Sequence, residues 1–235
     1  MKNISAVKNC YGCGVCATIC GRKIIEIKQN ADGFYEPHMT DEAKCSTCGL
    51  CLDVCAYLHD ELSLKDCTIN SYAAWSKDHL IRRKCSSGGA GFEIGKYLIE
   101  QGYKVCGVRY DAEKNRAEHY IASTVVELVQ SAGSKYIQSY TVDGFKAIDR
   151  KEKYLVTGTP CQIDSFRRYI QSFVVRITLY CLISSAMECH LCCCGKNIQN
   201  GLKSKWARLF MPHGVTNGQV GMILGRWVSM AKSMG

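Results

Sequence analysis

Around residue 25 the side chains alternate apolar and polar, as Ile24-Ile25-Glu26-Ile27-Lys28, and a second extended stretch, Gly33-Phe34-Tyr35-Glu36-Pro37, lies a few residues on. Asn30-Ala31-Asp32-Gly33 joins them. Asn, Asp and Gly tolerate the backbone angles of tight turns, so the pattern predicts a short hairpin. Further along, the period lengthens. Residues 91–101 bring Phe92, Ile94, Tyr97, Leu98 and Ile99 near helical spacing, and Gly102 marks the stop. Residues 104–110 and 119–122 read as strands, and 124–131 as a helix behind a Ser123/Thr124 cap. Tyr154-Leu155-Val156-Thr157 predicts a buried strand that runs into Gly158-Thr159-Pro160-Cys161, with a helix over 162–171. Strands alternating with helices predict a mainly parallel or mixed sheet covered by helices.

Three regions follow from these patterns: 1–66, 67–173 and 174–235. The last fits neither period. Five cysteines fall within 181–194, and Gly and Met are scattered through it.

Cysteine changes the picture most, at 17 of 235 residues. The first 20 residues carry no apolar signal segment, and many cysteines without export point to metal sites in a reducing compartment. Cys10-x2-Cys13-x2-Cys16-x3-Cys20 recurs as Cys45-x2-Cys48-x2-Cys51-x3-Cys55. A loop with a thiolate at every third residue wraps an iron–sulfur cubane, and Gly12, Gly14 and Gly49 suit the tight wrap. In two-cluster ferredoxins the fourth cysteine of each run serves the other cluster. Cys10, Cys13, Cys16 and Cys55 are therefore expected on one [4Fe–4S] cluster, and Cys45, Cys48, Cys51 and Cys20 on the second. Zinc, in an interaction module, is the rival ion; it usually takes paired knuckles, four ligands per ion. Gly21 and Ala56 stand where a Pro often follows the fourth cysteine.

The formal charge of +9 invites a nucleic-acid reading. However, residues 175–235 hold seven of the 30 basic side chains and one of the 21 acids, leaving 23 against 20 elsewhere. That is an ordinary surface balance without a basic stripe, so no nucleic-acid partner is expected. No apolar run reaches the roughly 18 residues of a membrane span, so no membrane is expected either, and the location expected is cytoplasmic.

The central region offers three small-residue turns. Cys85-Ser86-Ser87-Gly88-Gly89-Ala90-Gly91 precedes a helix, whose N-terminus favours an anion. Gly133-Ser134-Lys135-Tyr136 offers a cation and a ring. Gly158-Thr159-Pro160-Cys161-Gln162 ends a buried strand, where open α/β sheets bind ligands. Singly, each also reads as an ordinary turn or loop, and Cys161 as an inert thiol.

Taken together, Ser86-Ser87-Gly88-Gly89, Gly133-Ser134-Lys135-Tyr136-Ile137-Gln138-Ser139 and Gly158-Thr159-Pro160-Cys161-Gln162-Ile163 resemble the beta-subunit family of coenzyme F-420 (deazaflavin) hydrogenases and dehydrogenases. The resemblance covers about residues 1–173. It implies an α+β ferredoxin-like two-cluster module over 1–66 followed by an incomplete α/β flavin-type domain over 67–173. FAD or FMN would lie near Ser86, Ser87, Gly88, Gly89, Lys135 and Tyr136, with Thr159, Pro160 and Cys161 as the wall at the strand end. The implied function is electron transfer between the clusters and a flavin or deazaflavin-type acceptor, coenzyme F-420 among them, with a redox partner protein or small-molecule acceptor. A ferredoxin-like carrier without enzymatic activity is the alternative.

The tail is expected to be the product of a reading-frame shift. Shifted by one base, the pair Met187, Glu188 must encode Gly, and Cys192-Cys193-Cys194 two Leu. Wobble choices then restore a strand and turn like those that follow the Thr159-Pro160-Cys161-Gln162 segment in this family. As translated, the tail is expected to add nothing to the sheet, to pack poorly and to leave the chain with little catalytic turnover.

Overall fold

The computed structural model describes residues 3–8, 10–59, 73–149, 151–172 and 179–183. In its N-terminal part, two short helices, α1 (Val15–Ile19) and α2 (Leu50–Asp53), accompany an antiparallel hairpin of β1 (Ile25–Gln29) and β2 (Tyr35–Met39). The hairpin forms where the alternation predicts it. Ile25, Ile27, Tyr35 and Met39 are buried together with Ile4, Val7 and Ala17. Asn30 closes the turn: its Oδ1 accepts from the N–H groups of Asp32 and Phe34, each at 3.0 Å.

The rest of the described chain builds a five-stranded sheet from β3 (Tyr103–Asp111), β4 (Arg116–Ala122), β5 (Ser139–Tyr140), β6 (Lys153–Gly158) and β7 (Leu179–Ile183). The order is β5–β4–β3–β6–β7, with β3 and β4 antiparallel and every other pair parallel. The sheet is thus mixed, as expected.

Successive residues of a strand face opposite ways, and the two faces bury different neighbours. Val105 and Leu155 pack with Phe92 and Leu98 of α4 (Ala90–Glu100) and Leu128 of α5 (Val125–Leu128). A capping box starts α5, in which Glu127 N–H donates to Thr124 Oγ1. On the opposite face, Cys106 and Val156 pack with Phe145 of α6 (Val142–Lys146) and with Ile163 and Phe166 of α7 (Pro160–Gln171).

Val15 and Ile19 of α1, together with Val54, belong to that second cluster. The cysteine-bearing segment therefore shares a core with the sheet. Burying side chains of this size contributes about 1.5–3 kcal/mol each, and here it clamps the cysteine loops against α7.

One expectation is corrected. The chain beyond residue 174 does add to the sheet, because β7 pairs with β6 from Tyr154↔Leu179 to Gly158↔Ile183. Leu179-Tyr180-Cys181-Leu182-Ile183 is an unbroken apolar run of strand length. Residues 174–178 and 184–235, the 66/67 boundary and Cys67 lie outside the described residues. Several short elements were not anticipated, namely α1, α2, α3 (His79–Lys84), α6, β5 and β7. Each is too short to show a period.

Candidate functional site

The two cysteine runs fold alike. Gly14 precedes α1 with φ 74° and Gly49 precedes α2 with φ 79°, both left-handed. Cys16 lies in α1, and Cys20 caps its C-terminal end. Four residues of helix advance about 6 Å, which carries the fourth cysteine out of its own loop. Cys51 lies in α2, and Cys55 follows its C-cap, Val54.

As a result the runs exchange their last members. Cys10, Cys13, Cys16 and Cys55 line one narrow cavity, with Tyr11 and Val54. Cys20, Cys45, Cys48 and Cys51 line a second, wider one, with Asn3 and Arg22. Among the described residues no three Cys, His, Asp or Glu side chains could hold a single metal ion. A zinc ion with sulfurs at about 2.3 Å would need them drawn tightly together. Quartets spaced around a cavity fit a larger inorganic core.

Donors point at the sulfurs. Gly12 N–H donates to Cys10 Sγ at 3.4 Å, and Asn3 Nδ2 donates to Cys45 Sγ at 3.8 Å. The Cys13 thiol donates to Ser165 Oγ at 3.3 Å. Burial pushes the Cys13 thiol up to about 11 and raises Cys10, Cys16 and Cys51 as well. Neighbouring sulfurs add to the rise at Cys16. Such thiols keep their protons until a metal displaces them.

A separate cleft of about 260 Å³ opens at the carboxyl end of β6, between the N-termini of α4 and α7. Ser86, Ser87, Gly89, Lys135, Thr159 and Cys161 are among the residues that line it. Ser134 N–H donates to Ser86 Oγ at 2.6 Å, which ties two of the small-residue turns together. Thr159 Oγ1 and Cys161 Sγ lie 3.2 Å apart on the third turn.

Three of the expected residues are not among those lining the cleft: Gly88, Tyr136 and Pro160. Gly88 is small for another reason. A Cβ there would stand 2.6 Å from the Ala74 carbonyl oxygen, and Ser76 N–H donates to Gly88 O. Its left-handed neighbour is Gly89, at φ 80°. Tyr136 is exposed, and Pro160 is the first residue of α7. Lys135 reaches the cleft, yet its Nζ donates to the carbonyls of Gln130, Ala132 and Gly133, each at 2.9 Å. Its ammonium braces the loop, while burial lowers its pKa.

Among the lining residues that were not expected at the site, Gln138 and Tyr11 matter most. Gln138 Nε2 donates to Tyr11 O at 2.9 Å, and Gln138 Oε1 accepts from Tyr35 N–H at 2.7 Å. Gln138 lines the cleft, and Tyr11 lines both the cleft and the cavity of the first quartet.

The family described as "4Fe-4S dicluster domain" matches residues 9–58, and "Coenzyme F420 hydrogenase/dehydrogenase, beta subunit N-term" matches residues 71–145. The chain carries the beta-subunit N-terminal domain behind a 4Fe-4S dicluster domain. The dicluster domain makes it an iron–sulfur, electron-transfer protein with two [4Fe–4S] clusters. A coenzyme F420-dependent sulfite reductase of Methanocaldococcus jannaschii is 24% identical over 164 residues, or 68% of this chain. The chain spans 25% of that relative's length. A chain of the F420-reducing [NiFe] hydrogenase complex from Methanosarcina barkeri aligns with a TM-score of 0.40 at 20% identity, over 48% of this chain and 42% of that one. No helix of the dicluster and beta-subunit domains, among the described residues, is long and apolar enough to cross a membrane.

Proposed function

We propose that this chain is the electron-transfer part of an oxidoreductase subunit, with residues 1–66 as the cluster module and 67–173 as a flavin-type domain. Cys10, Cys13, Cys16 and Cys55 hold one [4Fe–4S] cluster; Cys20, Cys45, Cys48 and Cys51 hold the other. The cleft takes FAD or FMN. When bound, the clusters supply one-electron transfer and a flavin supplies exchange between one- and two-electron chemistry.

The observation that carries the reading is the position of Tyr11, which lines the first quartet's cavity and the cleft at once. Cys10 is its chain neighbour, so the first cluster site abuts the cleft. The second site lies farther out, where Cys48 is exposed to a redox partner protein.

The residues of the cleft fit a flavin phosphate. Its described lining carries no carboxylate, and the N-termini of α4 and α7 both open toward it. Thr159 and Gln162 close the α7 end by a capping box, so the first turn of α7 is held rigid beside Cys161. Coenzyme F-420, for which the M. jannaschii relative is named, is the two-electron acceptor this reading favours.

Flavin binding to anaerobically reconstituted protein tests it. Ser87→Trp should fill the cleft and weaken FMN or FAD binding at least tenfold, read by flavin fluorescence, while the iron content stays unchanged. Equal affinity in both proteins places the flavin elsewhere. If the wild type retains both clusters and binds neither flavin, the chain is a carrier alone.

A further inference from the structure

Ser165 lies on α7, one helical turn beyond Cys161, and is 0% exposed. Among the described residues its Oγ makes two side-chain hydrogen bonds, one to a member of the first cysteine quartet and one to the residue that follows another member. Ala56 N–H, on the peptide that follows Cys55, donates to it at 3.0 Å. The Cys13 thiol donates to it at 3.3 Å. Ser165 thus bridges two ligands contributed by different cysteine runs.

The second bond must reverse when iron is bound. Cys13 as a thiolate has no proton to give. Ser165 Oγ accepts from Ala56 N–H through one lone pair and keeps its own proton to donate, with the Cys13 sulfur 3.3 Å away. Its hydroxyl proton turns onto that sulfur.

We infer that Ser165 of the beta-subunit domain sets the reduction potential of the cluster held by Cys10, Cys13, Cys16 and Cys55. The physical basis is charge. Reduction adds an electron to a core already bearing thiolates, and a hydrogen bond to a ligand sulfur stabilises the more negative state. In a fully buried site no water replaces a lost donor, so the effect is not screened. Among the described residues no side chain of α7 donates to the second quartet, where Asn3 Nδ2 donates to Cys45 Sγ. The two clusters therefore receive separate control, and the one beside the cleft is tuned by the domain that forms the cleft.

This rests on the first quartet holding a cluster, and the experiment separates the two claims. Reconstituted wild type, Ser165→Ala, Ser165→Cys and Ser165→Thr are titrated potentiometrically and followed by EPR, with iron counted in each. In Ser165→Ala one of the two midpoints should move to more negative potential while the other stays fixed. Ser165→Cys, with a weaker donor of similar volume, should shift the same midpoint less, and Ser165→Thr, which keeps the hydroxyl, should leave it in place. Two unchanged midpoints with full iron, or two midpoints moving equally, overturn the role of Ser165. If Ser165→Ala loses iron, the Cys and Thr variants decide by the same criterion. A wild type that forms only the second cluster overturns the ligand assignment instead.

Discussion

The side-chain amide of Gln138 donates to the carbonyl of Tyr11 at 2.9 Å, across 127 positions of sequence. Through its oxygen the same amide accepts from Tyr35 N–H at 2.7 Å. One side chain therefore fixes the loop that leads into the first cysteine quartet, the hairpin, and a wall of the cleft.

Gln138→Ala should destabilise the protein by about 1–3 kcal/mol, because it leaves the N–H of buried Tyr35 without an acceptor. For a chain of this size the unfolding midpoint should fall by roughly 5 °C. Flavin affinity should fall with it. An unchanged midpoint would show that the two parts are held by their shared core alone.

The exchange of fourth cysteines makes a specific prediction. Cys20→Ala should damage the cluster of Cys45, Cys48 and Cys51, and Cys55→Ala that of Cys10, Cys13 and Cys16. Each should lose about four of eight irons. EPR of each variant identifies the surviving cluster, and damage confined to the variant's own run refutes the exchange. Cys85→Ala and Cys106→Ala should retain all the iron, since neither residue lines either quartet cavity.

His119 gives the stability a pH dependence. It is buried in the sheet, its Nε2–H donates to Thr157 O at 3.0 Å, and its Nδ1 has no hydrogen-bond partner among the described residues. Burial lowers its pKa from 6.5 to about 4. Between those values the unfolded chain binds a proton that the folded chain excludes, so stability is complete above about pH 6.5 and falls as pH drops toward 4. From pH 7.5 to 5.5 the loss is about 1.3 kcal/mol. Thermal unfolding at several pH values should show that slope in the wild type and a smaller one in His119→Gln. Parallel slopes would remove His119 as its source.

Much of this was legible in the sequence for a local reason. The hairpin, α4, β3, β6 and α7 are long or regular enough to show a period, and the cysteine runs carry their chemistry in spacing alone. What could not be read is what depends on distant contacts. Tyr11 lies within the first cysteine run and Gln138 within the 133–139 segment, where nothing in their spacing singles them out, and they join the cleft because β2, residues 133–139 and the first cysteine loop meet. Ser165 is an ordinary helical serine until Cys13 and the peptide after Cys55 are brought against it. Gly88 misled because a small residue beside a candidate site has two explanations. The strand Leu179–Ile183 was missed because it sits at the edge of a tail whose cysteines and absent acids pointed away from structure.

The most direct measurement counts metals and sulfide in protein purified and reconstituted without oxygen, with the absorbance spectrum and the flavin content of the same sample. Two cubanes require about eight iron and about eight acid-labile sulfide per chain, a brown colour and absorbance near roughly 400 nm. With flavin added, one equivalent should remain bound. Stoichiometric zinc, or no more than about four irons per chain after full reconstitution, would contradict the account.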